Sequence, residues 1–182
     1  LLGMTIALEA QTAQPAPAER TRGAQLHEAR RLPRATALLT SLDVRRFVAS
    51  RFYKKFGQAG ATLRPTALDE LQRLTGLDAE RDLDRLFVAR GRQGELAILA
   101  AGRFQRANLE AVWLSRTQPA ARTALGFVGD STLVVGSPAW VDIVTAKTPG
   151  ELLAANAAVM VLVEELGSDP TFWMVGEGDA LA

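Results

Sequence analysis

From Leu32 onward, short apolar runs alternate with segments whose apolar residues recur every three or four positions, the signatures of strands and of amphipathic helices. Leu32-Pro33 opens the folded part, because proline drives its predecessor out of helical dihedrals. Ala35 to Leu42 is short and partly alternating, which predicts the first strand. Asp43 is placed to cap a helix, since its carboxylate can accept from an orphan first-turn amide. Val44, Phe47, Val48, Phe52 and Phe56 then recur at helical spacing and predict one helix, stopped by Gly57. Its other face carries Arg45, Arg46, Arg51, Lys54 and Lys55, a basic cluster that reads as a solvated helix face before it reads as a phosphate or lipid-headgroup patch. Thr66 to Leu74 is a second helix: Thr66 and Asp69 imitate a capping box, Leu68, Leu71 and Leu74 form the stripe, and Gly76-Leu77 terminates it.

Leu86 to Arg90 and Glu95 to Ala101 are apolar runs joined by Gly91-Arg92-Gln93-Gly94, a hairpin signal. The second of these runs is apolar on both alternating sets, so it is predicted to be central and covered on both sides. Gln105 to Leu114 is predicted helical, with Leu109 and Val112 or Trp113 inward. Ala124 to Val128, the turn Gly129-Asp130-Ser131 and Thr132 to Val135 make another hairpin, left through Gly136 into a helix capped by Ser137 with Pro138 at its first position. Two hairpins, each leaving through a glycine (Gly102, Gly136) into a short helix, predict successive strand-turn-strand-helix units in one sheet.

Thr148, Pro149 and Glu151 form a capping box for a long helix lined by Leu152, Leu153, Asn156, Val159, Met160, Val163 and Leu166 and ended by Gly167. After Asp169-Pro170 comes the apolar strand Phe172 to Val175. Its proline, strand and following aspartate repeat the layout around Leu32-Pro33 and Asp43. The expectation from this echo is a single α+β domain over residues 32–182 that forms one half of a longer duplicated protein, with the sheet edge near Phe172 pairing with further sequence or another chain.

Composition narrows the function classes. A chain of 182 residues with 48% apolar content can bury one sizeable core. Its 21 basic and 20 acidic side chains nearly cancel, leaving no global field to draw it onto nucleic acid or anionic lipid. There is no cysteine, hence no disulfide, thiolate nucleophile or iron–sulfur centre. Leu1 to Leu8 is apolar, and composition shifts at Glu9 toward Ala, Gln, Pro, Glu and Arg. This leads to the expectation of a signal-peptide remnant and solvated linker over residues 1–31, and of a periplasmic or secreted protein. No run reaches the ~20 apolar residues of a membrane-spanning helix.

The search for chemistry finds no Gly-x-Ser-x-Gly elbow, Walker loop, dinucleotide fingerprint or His-Glu-x-x-His pair. His27 is the one histidine and lacks a companion ligand. Leu77 to Asp84 is acidic, but it lacks the glycine and the oxygen-ligand alternation of a calcium loop, and arginines interrupt it. Glu164, Glu165, Asp142 and Asp130 are the acids from which a hydrolytic carboxylate pair could be drawn. Trp113, Trp140 and Trp173 sit within or beside apolar runs, which assigns them to the core before a binding surface. No catalytic, metal or cofactor residue is nominated.

The order of Leu32-Pro33, Thr75-Gly76-Leu77-Asp78, Arg81-Asp82-Leu83-Asp84, Gly102-Arg103-Phe104 and the run from Gly129 to Gly136 resembles uncharacterised exported bacterial proteins with a duplicated α+β domain, over residues 32–182. The resemblance implies location and fold class and transfers no functional residue. The fold expected is α+β, a mainly antiparallel sheet of about five strands packed with helices. The function expected is a non-catalytic binding or interaction protein of the bacterial cell envelope, with an unknown protein or small ligand as partner. A two-acid hydrolase and a structural repeat of a larger envelope assembly are the alternatives.

Overall fold

The computed structural model describes residues 27–56, 66–116, 122–146, 148, 150–166 and 170–176. Its elements in chain order are β1 (Thr36–Asp43), α1 (Val44–Ala49), α2 (Arg51–Phe56), α3 (Thr66–Thr75), α4 (Ala79–Asp82), β2 (Leu83–Gly91), β3 (Leu96–Gly102), α5 (Arg106–Arg116), β4 (Ala124–Val128), β5 (Thr132–Gly136), α6 (Pro138–Ala146), a 3-10 turn (Leu153–Ala155), α7 (Ala157–Leu166) and β6 (Phe172–Gly176). The strands form one six-stranded sheet in the order β4-β5-β3-β2-β1-β6. Every neighbouring pair is antiparallel. The fold is therefore α+β, with one strand more than expected.

Strand periodicity divides the core into two layers, because successive side chains leave opposite faces of the sheet. On one face Leu39, Phe87, Leu99 and Trp173 pack with Trp140 and Val144 of α6 and with Val159 and Val163 of α7. On the other, Leu42, Leu86, Ile98 and Leu133 pack with Leu71 of α3 and with Leu109 and Trp113 of α5. Both faces thus carry helices. Strand β3 is the pivot: Ala97 to Ala100 are all buried, as a strand covered on both sides requires.

The two hairpin units send their helices to opposite faces, α5 to one and α6 to the other. They share a device nonetheless. A methyl group on Gly102 would meet the backbone carbonyl of Asp82, and one on Gly136 would meet that of Leu96. Each exit needs glycine because another backbone passes against it.

Three helical expectations are corrected. The helix from Val44 to Phe56 is broken at Ser50, which takes extended dihedrals of φ −67 and ψ 151. Ser50 ends α1 through its N–H to Phe47 O at 3.1 Å. Its hydroxyl then accepts from Tyr53 N–H at 3.1 Å and starts α2. The break shifts the helical phase, so Tyr53 is buried while Phe52 is 52% exposed. The long helix over Leu152 to Leu166 is likewise divided: Leu153–Ala155 is 3-10, and Asn156 caps α7 by accepting from Val159 N–H at 3.3 Å. The Asn156 amide also donates to Arg34 O at 3.1 Å, which pulls it out of helical register. Finally, the Ser137 hydroxyl accepts from Leu96 N–H at 3.1 Å, so it ties α6 to β3 and does not close on its own helix.

The packed part also begins earlier than composition indicated. Ala29 is fully buried, although composition places residues up to 31 in a linker. Leu153 N–H donates to Leu32 O at 2.5 Å and Ala154 N–H to Arg30 O at 3.2 Å, so this segment is held by the 3-10 turn. The side chains of Thr66, Leu68 and Asp69, and the stops expected at Gly57 and Gly167, lie outside the described residues.

Candidate functional site

The acids nominated for hydrolysis are placed first. Asp130 is exposed in the β4–β5 turn and Asp142 is exposed on α6. Glu164 and Glu165 are exposed on α7, and Glu164 accepts from Arg30 at 2.9 Å. Helix α6 packs on β4, whereas α7 packs on β6 at the opposite margin of the sheet. Five strand spacings separate those margins, ~24 Å, whereas two acids flanking a glycosidic bond stand ~5–9.5 Å apart. The structure therefore does not bring the α7 acids together with Asp130 or Asp142.

A different ionic group was missed in the sequence. Arg85 lies between Asp43, at 3.6 Å, and Glu28, at 3.9 Å, with all three side chains mostly buried. Asp43 also accepts from Arg46 N–H at 2.9 Å as the cap of α1. Glu28 Oε2 is buried without a hydrogen-bond partner. Burial pushes the Glu28 carboxyl above its ordinary value, only partly countered by Arg85 and Arg31. The group ties the residues before β1 to the ends of β1 and β2. It spans segments remote in sequence, so no local motif announces it.

The other candidates resolve into structure. His27 is exposed with its Nε2 2.8 Å from Arg31. Of the basic cluster, Arg45 pairs with Asp84 and Arg46 with Asp43. In the acidic segment, Asp78 caps α4 by accepting from Glu80 N–H at 3.1 Å, and Asp82 accepts from Asp78 N–H at 3.0 Å. The Arg81 guanidinium hydrogen-bonded to Asp82 holds that carboxyl below its usual range. Among the described residues no three or more histidine, cysteine or acidic side chains converge as metal ligands. Trp113, Trp140 and Trp173 are all buried, Trp113 on one side of the sheet and the other two on the opposite side, so they make no common aromatic surface.

The surface formed by the described residues carries open grooves. The groove between α4 and α5, about 360 Å³, has Asp82 as its acid. The groove between α5 and β4, about 480 Å³, has Glu110. The groove beside the β2–β3 turn, about 250 Å³, has Glu95. Each offers a single carboxylate.

What stands out instead is the margin formed by β6 and α7. Phe172 is 57% and Met174 49% exposed on β6, and Val161, Leu162 and Leu166 are exposed on α7. Strand β6 pairs with β1 on one side only, and among the described residues no strand pairs with its outer edge. Between Phe172 and Gly176 there is neither charge nor proline, the usual means of blunting an edge. An unpaired row of amides and carbonyls beside apolar side chains recognises another extended backbone.

Fold and site together define the class: an α+β domain with helices on both faces of an antiparallel sheet, whose β6 edge carries exposed apolar side chains. Searches with this chain find no matching family model, no matching curated protein and no matching solved structure.

Proposed function

We propose that the chain is a non-catalytic interaction protein of the bacterial cell envelope whose contact surface is the outer edge of β6 with the neighbouring flank of α7. The observation that carries this reading is that edge: backbone groups that no described strand pairs with, flanked by Phe172 and Met174 at about half exposure. The envelope location is supported by the apolar Leu1 to Leu8 followed by an Ala-, Gln- and Pro-rich stretch, and by the resemblance to exported bacterial proteins. The same edge suits a structural repeat of a larger assembly, in which a strand of the next unit would occupy it.

The test is a photo-cross-linking residue placed at Met174 in the full reading frame, expressed in bacterial cells and compared with the same residue at Asp130 on the opposite margin. A discrete adduct at Met174, absent at Asp130 and recovered with the envelope fraction, is the expected result. Equal labelling at the two positions, or adducts found only in the cytosolic fraction, would overturn it.

A further inference from the structure

We infer that the partner of the β6 edge is a second copy of this chain, paired antiparallel about a two-fold axis at Met174; the inference rests on the interaction reading above. Its first support is the direction of the backbone groups. Asp43 N–H donates to Thr171 O at 2.8 Å, next to the register Leu42↔Phe172, Ser41↔Trp173 and Leu39↔Val175. Hydrogen-bonded pairs alternate in an antiparallel ladder, so Thr171, Trp173 and Val175 turn their backbone groups toward β1. Phe172, Met174 and Gly176 turn theirs outward.

A partner strand must set outward residues against outward residues. A two-fold at Met174 does this: Met174 faces its own counterpart, and Phe172 faces Gly176 of the other copy. Of the registers with the right parity, this one overlaps the whole strand. It also lays the Phe172 ring over a glycine, where no side chain competes, and sets Trp173 beside Val175 of the other copy, an aromatic and β-branched pair. The strand carries no charge, so self-pairing meets no like-charge penalty.

The second support is α7. Val159, Met160 and Val163 face the sheet, and Glu164 on one flank is tied to Arg30 at 2.9 Å. Leu162 and Leu166, one turn apart, occupy the opposite flank and are 40% and 39% exposed. A five-residue strand spans only ~17 Å, and stable interfaces bury ~1,200–2,000 Å², so the strand pair has to be widened. Helices pack at ~8–10 Å, two strand spacings, which places each α7 over its own β6–β1 pair. The buried residues of α7 already share a cluster with Leu39 of β1 and Trp173 of β6. In that arrangement Leu162 and Leu166 of the two copies meet across the axis.

The absence of cysteine makes the test clean. Wild-type chain should sediment at twice the chain mass at high micromolar concentration, and Met174→Lys should return it to the chain mass with an unchanged circular dichroism spectrum. Facing residues in a hydrogen-bonded pair stand ~5.5 Å apart at Cα, within reach of a disulfide. Mild oxidation should therefore join Met174→Cys chains to each other. Phe172→Cys chains should stay single, because their cysteines lie ~13 Å apart along the strand, yet they should join Gly176→Cys chains when mixed. A wild type that remains monomeric, or cross-linking of Phe172→Cys alone, overturns the self-pairing. If the photo-adduct at Met174 then contains a different protein, the edge reading stands without it; if there is no edge-specific adduct either, both fall.

Discussion

The two margins of the sheet differ in how far their side chains are covered. At β4, Leu125, Gly126 and Phe127 are half-buried, and the side chains of Val141 and Thr145 press so closely on Gly126 that a methyl there would stand 2.8 and 2.6 Å from them. The Arg106 guanidinium lies 4.8 Å over the Phe127 ring, and Phe104 packs against the same ring at 6.5 Å. Both faces of that margin are thus covered, one by α6 and the other by Arg106 and Phe104, whereas α7 covers only the Trp173 face of β6. At β6 the inward residues Trp173 and Val175 are buried, but Phe172 and Met174 are left to solvent and no charged residue lies on the strand. That contrast, within one sheet, supports the contact surface proposed at β6.

The largest way to break this comparison runs through the support of β6. Phe87 is fully buried and its ring meets Trp173 at a centroid distance of 6.3 Å. Phe87→Ala should cost about 3–5 kcal/mol in urea unfolding, as large-to-small changes of buried aromatics do. A cost below about 1 kcal/mol would mean that Trp173 does not anchor the margin as described.

Arg106→Ala at the β4 margin should cost about 0.5–1 kcal/mol by the same measurement, the worth of a cation over an exposed aromatic face. It should also loosen the β4–β5 ladder, seen as faster amide exchange at Gly126 and Val128, which pair with Val134 and Thr132. Unchanged exchange would show that the guanidinium does not protect that ladder.

Between the margins, Glu28→Gln is read by its sign. The Glu28 carboxyl is raised by burial above its ordinary 4.5, so its contribution to stability is fully present below that value and is lost as pH rises through the folded one. Glu28→Gln should therefore be more stable than wild type near neutrality and converge with it in acid. A variant less stable at neutral pH would show that the charge pairing with Arg85 outweighs desolvation.

The smallest expected effect is the sharpest. Met174→Lys should change monomer stability by less than about 0.5 kcal/mol, the range for exposed positions. A larger loss in the monomer would place Met174 in the core and remove the contrast between the margins.

How much of this was legible follows from which forces are local. The hairpins were read because turn glycines and apolar runs sit side by side in sequence, and Gly94 and Gly129 adopt the positive φ that such turns require. The breaks at Ser50 and Asn156 were not, because apolar spacing continues through both. Each is decided by a side chain that closes on backbone, Asn156 reaching as far as Arg34. Phe172 to Val175 was recognisable as a strand and as a sheet edge. Its orientation was not, since four consecutive apolar residues carry no alternation to say which pair faces in. The Glu28, Asp43 and Arg85 group was hidden for a similar reason: the pairing of β1 with β2 joins Asp43 to Arg85, and Glu28 reaches Arg85 from the segment before β1.

That β1 pairs with β6 has a temporal consequence. These are the described strands farthest apart in sequence, so their ladder closes the longest loop and its entropy is lost before the contact rewards it. During synthesis the flank of β1 that will receive β6 waits, unsatisfied, until Phe172 to Gly176 has left the ribosome. Docking of β6 should be the slow step in refolding, and a chain interrupted before it would present β1 to whatever extended polypeptide is nearby.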